Sequence, residues 1–399
     1  MLLEIFLAIL IGCTFGIFTG LIPGIHINLV SILVISFSAT LLQITTPLII
    51  AIFIISMAIT HTFLDTIPSV FLGAPESETA LSVLPGHKML LKGNGHKAII
   101  LTLIGSLFSL ILAIIFSPLI MIIVGKVYPI LSKVMGYILI LASSFLIFKE
   151  RKSRIWALII FIYAGTLGLA VLNMPNLNSP LFPLLSGLFG VSMLSISLLQ
   201  KVNIPKQKIK DFTIDKKTTF KALSSSLAAG GLCSFLPGLG PAQAAILGSQ
   251  LTRNLKSEGF LILVGGLNTV NMVLSFIGLY IIDKARNGAI VAVSELLDKF
   301  TLNNLVLFFG VALVVAGIAT FLTINLSKLF AKLMSKVNYA VICISVIVLI
   351  TILVAIISGP WGLLVLLGST ALGIVPAELG IGRNHLMGCL LLPVILYFI

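Results

Sequence analysis

Long apolar segments separated by short polar ones run through the whole chain. Seven can be marked in residues 1–200 and seven in residues 219–399. They cover roughly 3–22, 25–43, 47–72, 98–124, 128–148, 154–174 and 183–200, then 219–236, 240–252, 258–282, 303–330, 336–357, 359–375 and 386–399. A membrane-spanning helix needs about 20 apolar residues. The pattern therefore predicts an all-α polytopic membrane protein with about 12–14 transmembrane or re-entrant segments.

Two short stretches, 12–24 and 226–238, resemble each other when the chain is shifted by 214 positions. Gly12, Gly16, Gly20, Pro23 and Gly24 fall on Ser226, Gly230, Ser234, Pro237 and Gly238. Each stretch is a ridge of small residues at a spacing of four, typical of close helix packing. Each then ends in a helix-breaking Pro-Gly. Paired interruptions at matching places in two halves indicate the midplane binding site of a transporter.

Charge sets the expected orientation in the membrane. The chain is 59% hydrophobic and only 9% charged, and its net charge of +13 comes from lysines and arginines in short loops. The basic linker 201–218 joins a first repeat, 1–200, to a second repeat, 219–399, and the positive-inside rule places it in the cytoplasm. Seven crossings per half would make the two repeats inverted. The segments 25–43 and 240–252 either span the membrane or re-enter it.

The two Pro-Gly breaks are the first candidate site. Proline removes an amide donor, and a helix that restarts after the break presents free N–H groups to an anion. We therefore expect substrate binding by the break residues and by the residues that follow them. These are Pro23, Gly24, His26 and Asn28 in the first half, and Pro237, Gly238, Gly240 and Gln243 in the second. The alternative is a kink that only aids packing.

Polar residues also interrupt the third segment of each half. His61 and Asp65 lie four residues apart and share one helix face. Ionisable groups at membrane depth usually face a cavity or a proton path, so this pair is a candidate for ion coupling. The matching segment carries the neutral Asn268 and Asn271, which suit coordination of an ion or a carboxylate. In both halves the alternative is a structural hydrogen bond between helices.

The small-residue stretch 73–97 contains two further candidates. Glu76 and Glu78 follow a predicted span directly and are expected to bind a coupling cation, Na⁺ or H⁺, unless they only line a solvated loop. The four cysteines lie in apolar segments without metal spacing and are expected to be packing residues. The chain has no Walker A loop, metal-ligand cluster or nucleophile elbow. It is therefore not expected to be an enzyme or to hold a cofactor.

Three of these features together resemble the TctA family, the large membrane subunit of tripartite tricarboxylate transporters. They are the break at Pro23-Gly24, the break from Pro237 to Pro241, and the stretch from Gly73 to Ala98. The resemblance implies proton- or sodium-coupled uptake of carboxylates, with a small membrane subunit and an extracytoplasmic binding protein as partners. The chain departs from the family pattern at Glu76 and over residues 283–286, and is identified as a divergent member.

The leading hypothesis is a secondary active transporter in the cell membrane. It would carry a small organic anion, a di- or tricarboxylate, coupled to H⁺ or Na⁺. The alternative is a polyprenyl-phosphate translocase, because a phosphate headgroup suits the same helix ends. A lateral opening from the lipid to a break would favour this alternative. A third hypothesis is a membrane scaffold whose polar residues only join helices.

Overall fold

The computed structural model of the chain describes residues 2–22, 27–36, 38–73, 80–150, 153–199, 205–209, 212–235, 241–252, 255–284, 287–297, 299–334 and 339–399. Helices dominate these residues. Those of the first half are α1 (Leu2–Leu21), α2 (Ile27–Ser36), α3 (Ser38–Leu41), α4 (Pro47–Leu64), α5 (Thr66–Phe71), α6 (Ala80–Leu90), α7 (Gly95–Ile115), α8 (Ser117–Phe148), α9 (Arg154–Leu172), α10 (Leu181–Leu185) and α11 (Ser192–Leu199). Those of the second half are α12 (Lys216–Phe235), α13 (Pro241–Leu251), α14 (Ser257–Ile282), α15 (Gly288–Leu296), α16 (Leu302–Met334), α17 (Tyr339–Leu379) and α18 (Gly388–Phe398).

Eight helical stretches within these ranges are long and apolar enough to cross a membrane. They are Leu2–Leu21, Pro47–Phe71, Gly95–Ile115, Arg154–Leu172, Leu181–Leu199, Ser257–Ile282, Leu302–Met334 and Cys343–Leu379. Three shorter apolar helices are Ser117–Ile130, Gly136–Phe148 and Arg383–Phe398. The predicted all-α polytopic membrane protein is confirmed. The two-repeat organisation and the number of crossings remain predictions.

Proline and glycine decide where two of these helices are interrupted. The fourth and fifth segments were expected to separate between residues 124 and 128, and this was wrong. The separation lies at Phe116, because Pro118 fits only the first turn of α8, which then continues through Gly125. In α17 the backbone leaves helical geometry at Gly359 (φ 68°, ψ −164°), where the sequence predicts the boundary between two segments.

The small-residue ridge of α1 packs directly on α4. Cβ atoms built on successive ridge positions would contact successive turns of α4: Gly12 at Phe53, Gly16 at Thr60 and Gly20 at Leu64. Because both series rise together, the two helices run parallel. The end of α1 and the start of α4 therefore lie at opposite ends of this pair of helices, and the described helices α2 and α3 come between them in the chain.

The second half repeats this arrangement with α12 and α14. Ser226 contacts Gly266, Gly230 contacts Val270, and Ser234 bonds to Asn271. This pair also runs parallel. Gly248 of the short α13 lies beside Ser225 and Ala229, so α13 packs on α12, whereas α2 packs on α15 and α4.

Helices of the two halves also pack against each other in matching ways. The fourth-segment helix α7 lies along α14, and its counterpart α16 lies along α4. The α7–α14 contact is close because Gly105 and Gly265 leave no room for a Cβ atom. Short helices occupy two stretches that the sequence pattern left as loops. They are α6, which touches α14, and α15, which touches α4 and α2.

The basic linker meets the starts of α7 and α14 at one end of the bundle. Lys97 Nζ lies 2.6 Å from Glu258 Oε1, joining the start of α7 to the start of α14. The Lys208 amide donates to the Gly93 carbonyl at 2.7 Å, which fixes the linker at the same end. His96 Nδ1 lies 2.9 Å from Ser327 Oγ of α16. These contacts place the linker beside the starts of α7 and α14.

Candidate functional site

A polar cluster lies where the third helices of the two halves cross. Asn268 Nδ2 donates to Asp65 Oδ2 at 2.6 Å, and both side chains are buried, with exposed fractions of 1% and 0%. Asn268 is the twelfth of the 26 residues of α14, so the contact lies near the middle of that span. The sequence predicted polar positions in each helix, and the structure brings Asp65 and Asn268 into direct contact.

Asp65 stands at an interruption between two helices. It ends α4 and precedes α5, where Pro68 lacks the N–H that would bond to the Leu64 carbonyl. Hydroxyl groups bond to the backbone around the interruption. Ser69 Oγ donates to the Asp65 carbonyl at 3.0 Å, and Thr323 Oγ1 of α16 donates to the Phe63 carbonyl at 3.4 Å. Side chains of both halves therefore form hydrogen bonds with the backbone at this interruption.

Threonine hydroxyls flank the carboxylate, and sequence reasoning missed their role. Thr62 Oγ1 lies 3.5 Å from Thr269 Oγ1, and Thr66 Oγ1 lies 3.2 Å from Thr102 Oγ1 of α7. All four side chains are buried. Their position next to predicted site residues was the sequence evidence for a role, since Thr62 follows His61 and Thr269 follows Asn268. Threonines are common in membrane helices, so this position alone did not separate them from threonines without a role.

Asn268 Oδ1 is a buried acceptor atom of the cluster that has no hydrogen-bond partner among the described residues. A buried polar atom without a partner is rare and needs a physical explanation. Asn268 Oδ1 and the Asp65 carboxylate belong to adjacent side chains and are oxygen ligands of the kind that hard cations prefer. The arrangement suits a small cation.

The ends of both broken helices lie beside this cluster. In α1, a Cβ atom on Gly20 would lie 3.4 Å from the His61 Cα, three residues before Pro23. In α12, Ser234 Oγ donates to the Asn271 carbonyl at 3.3 Å and to its Oδ1 at 3.4 Å, three residues before Pro237. The described end of α1 therefore lies beside His61, and the described end of α12 lies beside Asn271.

Most predicted binding residues lie outside the described residues. They are Pro23, Gly24, His26, Glu76, Glu78, Pro237, Gly238 and Gly240. Asn28 and Gln243 fall in the first turns of α2 and α13, although their side chains also lie outside what the structure describes. A helix does restart after each break, at Ile27 and at Pro241, as the sequence predicts.

A comparison with family models now decides the class of protein. The model of the tripartite tricarboxylate transporter TctA family matches residues 6–388. The chain belongs to the TctA family. It is also similar to the uncharacterized protein MJ1079 of Methanocaldococcus jannaschii, with 30% identity over 409 aligned positions that cover 98% of each chain. No solved structure matches.

Membership of the TctA family confirms the coarse functional predictions. The family consists of transporter subunits and not of enzymes, and its members reside in the cell membrane. The eight apolar spans agree with a multi-pass protein of this kind. The chain is therefore a membrane component of a transport system.

An apolar groove of about 510 Å³ lies apart from the polar cluster, between α12 and the α7–α8 corner of this TctA protein. We call it the α8–α12 groove. Its lining is Leu112, Phe116, Leu119, Ile120, Ile123, Val124, Val127, Tyr128, Phe220, Ser224, Leu227, Ala228, Gly231, Leu232, Phe235 and Leu274. Phe220 and Leu119 are more than half exposed. The groove ends at Phe235, the last described residue before the second break.

Proposed function

We propose that this chain moves a small organic anion, a di- or tricarboxylate, across the cell membrane in symport with Na⁺ or H⁺. The observation that carries the proposal is the buried Asp65 carboxylate in contact with the Asn268 amide. Its charged form is costly at membrane depth unless a cation accompanies it, and binding of a proton removes the charge. A site that changes its charge with ion occupancy is what symport requires.

The coupling ion would bind where the two third helices cross. A sodium ion would take oxygens from the Asp65 carboxylate and from Asn268 Oδ1, which has no partner among the described residues. A proton would bind to Asp65 directly, with His61 on the same helix face as its exchange partner. Glu76 and Glu78 remain candidates for a second ion-binding position at the start of the 73–97 stretch.

The substrate would bind at the restarting helices α2 and α13. Their N-termini follow the two breaks and would present N–H groups and a positive dipole end to a carboxylate. The described ends of α1 and α12 lie beside His61 and Asn271, which supports a short distance between ion and substrate. Pro23, Gly24, His26, Asn28, Pro237, Gly238, Gly240, Gln243 and Asn271 are the proposed binding residues.

Alternating access would come from the movement of one half against the other. The matching pairs α1–α4 and α12–α14, and the reciprocal packing of α7 and α16, support an inverted repeat. A small membrane subunit and an extracytoplasmic binding protein are the proposed partners, because the family is described as tripartite.

A thermal-shift panel on the purified protein tests this proposal. Di- and tricarboxylates and a short polyprenyl phosphate are each added with and without Na⁺, at two pH values. A ligand that binds the folded state raises the melting temperature by mass action. We expect a carboxylate to stabilise the protein, and Na⁺ or acid to increase the effect. No response to any carboxylate under any ion condition would contradict it.

The α8–α12 groove favours a second candidate, translocation of a polyprenyl phosphate. It is open towards the lipid and leads to the second break, where a phosphate would meet the start of α13. In the same panel, stabilisation by the polyprenyl phosphate and not by carboxylates would select this function.

A further inference from the structure

We propose that the α8–α12 groove is a binding site for one anionic phospholipid, which stays bound as a structural ligand while the transporter works. The tail would lie in the groove, and the headgroup would bind to lysines at the start of α12. This site is separate from the polar cluster, and the proposal is an alternative to the use of the same groove by a transported polyprenyl phosphate.

The dimensions of the groove match a lipid chain. Its lining on α12 extends from Phe220 to Phe235, about 22 Å along the helix, which exceeds the roughly 15 Å of one leaflet. The groove holds about 510 Å³. It therefore has the length and the room for a single hydrocarbon chain.

The groove is open because small residues line its floor. A Cβ atom on Gly231 would touch only Leu274 Cδ1, at 3.9 Å, whereas one on the neighbouring Gly230 would collide with Val270. Ala228 and Ser224 continue this floor towards the start of α12. A larger side chain at 231 would fill the groove without moving α14. A substitution of Gly231 can therefore test the proposal while it leaves the packing of α14 unchanged.

Charge at one end of the groove indicates the headgroup. Lys217 lies three residues before Phe220 and Lys221 lies three residues before Ser224, so both share the helix face that lines the groove, and both are exposed. Lys216 adds a third positive charge. Asp215 is the acidic group on the same turn, and its carboxylate bonds to the amides of Lys217 and Thr218. Basic clusters at the predicted cytoplasmic surface attract anionic lipid headgroups.

The experiment compares lipid binding by the full-length wild-type protein, Gly231→Leu and Gly310→Leu. Gly310 is the matched control, because a Cβ atom there meets nothing within 4 Å and it lies on α16, outside the groove. Each protein is delipidated in detergent and then titrated with phosphatidylglycerol or phosphatidylcholine of identical chains. Melting temperature and native mass spectrometry are the readouts.

We expect phosphatidylglycerol to raise the melting temperature of the wild type and of Gly310→Leu by about 3 °C or more, with one lipid retained. Gly231→Leu should lose most of this shift and the retained lipid. Lys217→Gln/Lys221→Gln should respond equally to both lipids, whereas Lys206→Gln/Lys208→Gln in the linker should still prefer phosphatidylglycerol. Ala228→Leu serves as a second groove variant in case Gly231→Leu does not fold.

Three results would overturn the proposal. One is an equal rise in melting temperature with phosphatidylglycerol in the wild type and in both groove variants. Another is a wild type that prefers polyprenyl phosphate in the groove, which would make the groove a transport path. The third is displacement of a co-purified polypeptide, and not of a lipid, by the groove variants.

Discussion

The two halves of the molecule share a scaffold but differ in charge at its centre. In both, a small-residue ridge packs on a parallel third helix, and the ridge helix ends beside that helix's polar residues. The first half places His61 and Asp65 there, whereas the second places the neutral Asn268 and Asn271. The helix packing is therefore repeated in the second half, whereas the ionisable side chains are replaced there by neutral amides. Among the described residues, Asp65 supplies the carboxylate at the crossing, and the second half supplies an amide opposite it.

The duplicated scaffold makes the largest prediction. Gly16→Leu places a side chain against the Met57 carbonyl and Thr60 Cβ, and Gly230→Leu places one against Val270. Overpacking of a close helix contact should cost about 3 kcal/mol or more in each half. We expect both variants to lose folded, monodisperse protein, measured by size-exclusion chromatography. Gly310→Leu on the open face of α16 is the control. Folded, monodisperse protein for one ridge variant but not for the other would contradict the equivalence of the two ridges.

Gln207 attaches the linker between the halves to the first half. The buried Gln207 accepts from the Gly95 amide at 2.9 Å and donates to the Leu90 carbonyl at 3.0 Å. Gln207→Ala should leave both backbone groups without these bonds and cost about 1–3 kcal/mol locally. We expect faster proteolysis of the linker at unchanged melting temperature. Lys206→Ala, at an exposed neighbouring position, should digest like the wild type, and equal rates for all three proteins would contradict the prediction.

The two asparagines of the second half should prove different in role. Asn271 accepts from Ser234 and from Cys233, so it joins α12 to α14. Asn271→Ala should lower the stability by about 0.6 kcal/mol, a typical value for such bonds in membranes, and leave ion dependence unchanged. Asn268→Ala should alter ion dependence. A calorimetric scan with and without Na⁺ separates the two effects, and an identical response of both variants would show that the distinction is wrong.

The smallest prediction concerns the start of α12. Hydrogen bonds from the Thr218 hydroxyl and amide lower the pKa of Asp215 below its ordinary value of 3.8. The stabilising cap is therefore complete above that value and is lost as the pH falls through the lower folded-state pKa. We expect the first turn of α12 to exchange its amide hydrogens faster in Asp215→Ala at neutral pH, while Asp215→Asn keeps most of the protection. Equal exchange in both variants would argue against the cap.

Local sequence patterns were enough to predict the helices, the ridges and the polar positions of the third segments. The ridge packing is set by residue size at a fixed spacing, and a buried Asp65 is visible because charge is rare in apolar segments. Local patterns do not predict which residue of another helix each polar side chain contacts. The Asp65–Asn268 contact joins residues 203 positions apart, and no local period encodes it.

Other features depend on tertiary context for the same reason. The helices α6 and α15 are short and lie next to charged or small residues, so they look like loops in the sequence, and they are stabilised by packing on α14 and α4. The α7–α8 corner at Phe116 was missed because Pro118 lies within an unbroken apolar run. The docking of Gln207 on Gly95 was missed because nothing in a basic linker indicates where it binds.

The central claim is that Asp65 and Asn268 form the ion-coupling site, and a charge exchange tests it most directly. Substrate uptake into proteoliposomes is measured with and without a Na⁺ or pH gradient for Asp65→Asn and for Asp65→Asn/Asn268→Asp, with Glu378→Gln as an exposed-carboxylate control. The account predicts that Asp65→Asn loses gradient stimulation, by about 5–150-fold for a typical coupling energy. The double variant should regain part of it, because it returns one carboxylate to the same contact. Unchanged gradient stimulation in Asp65→Asn would contradict the account.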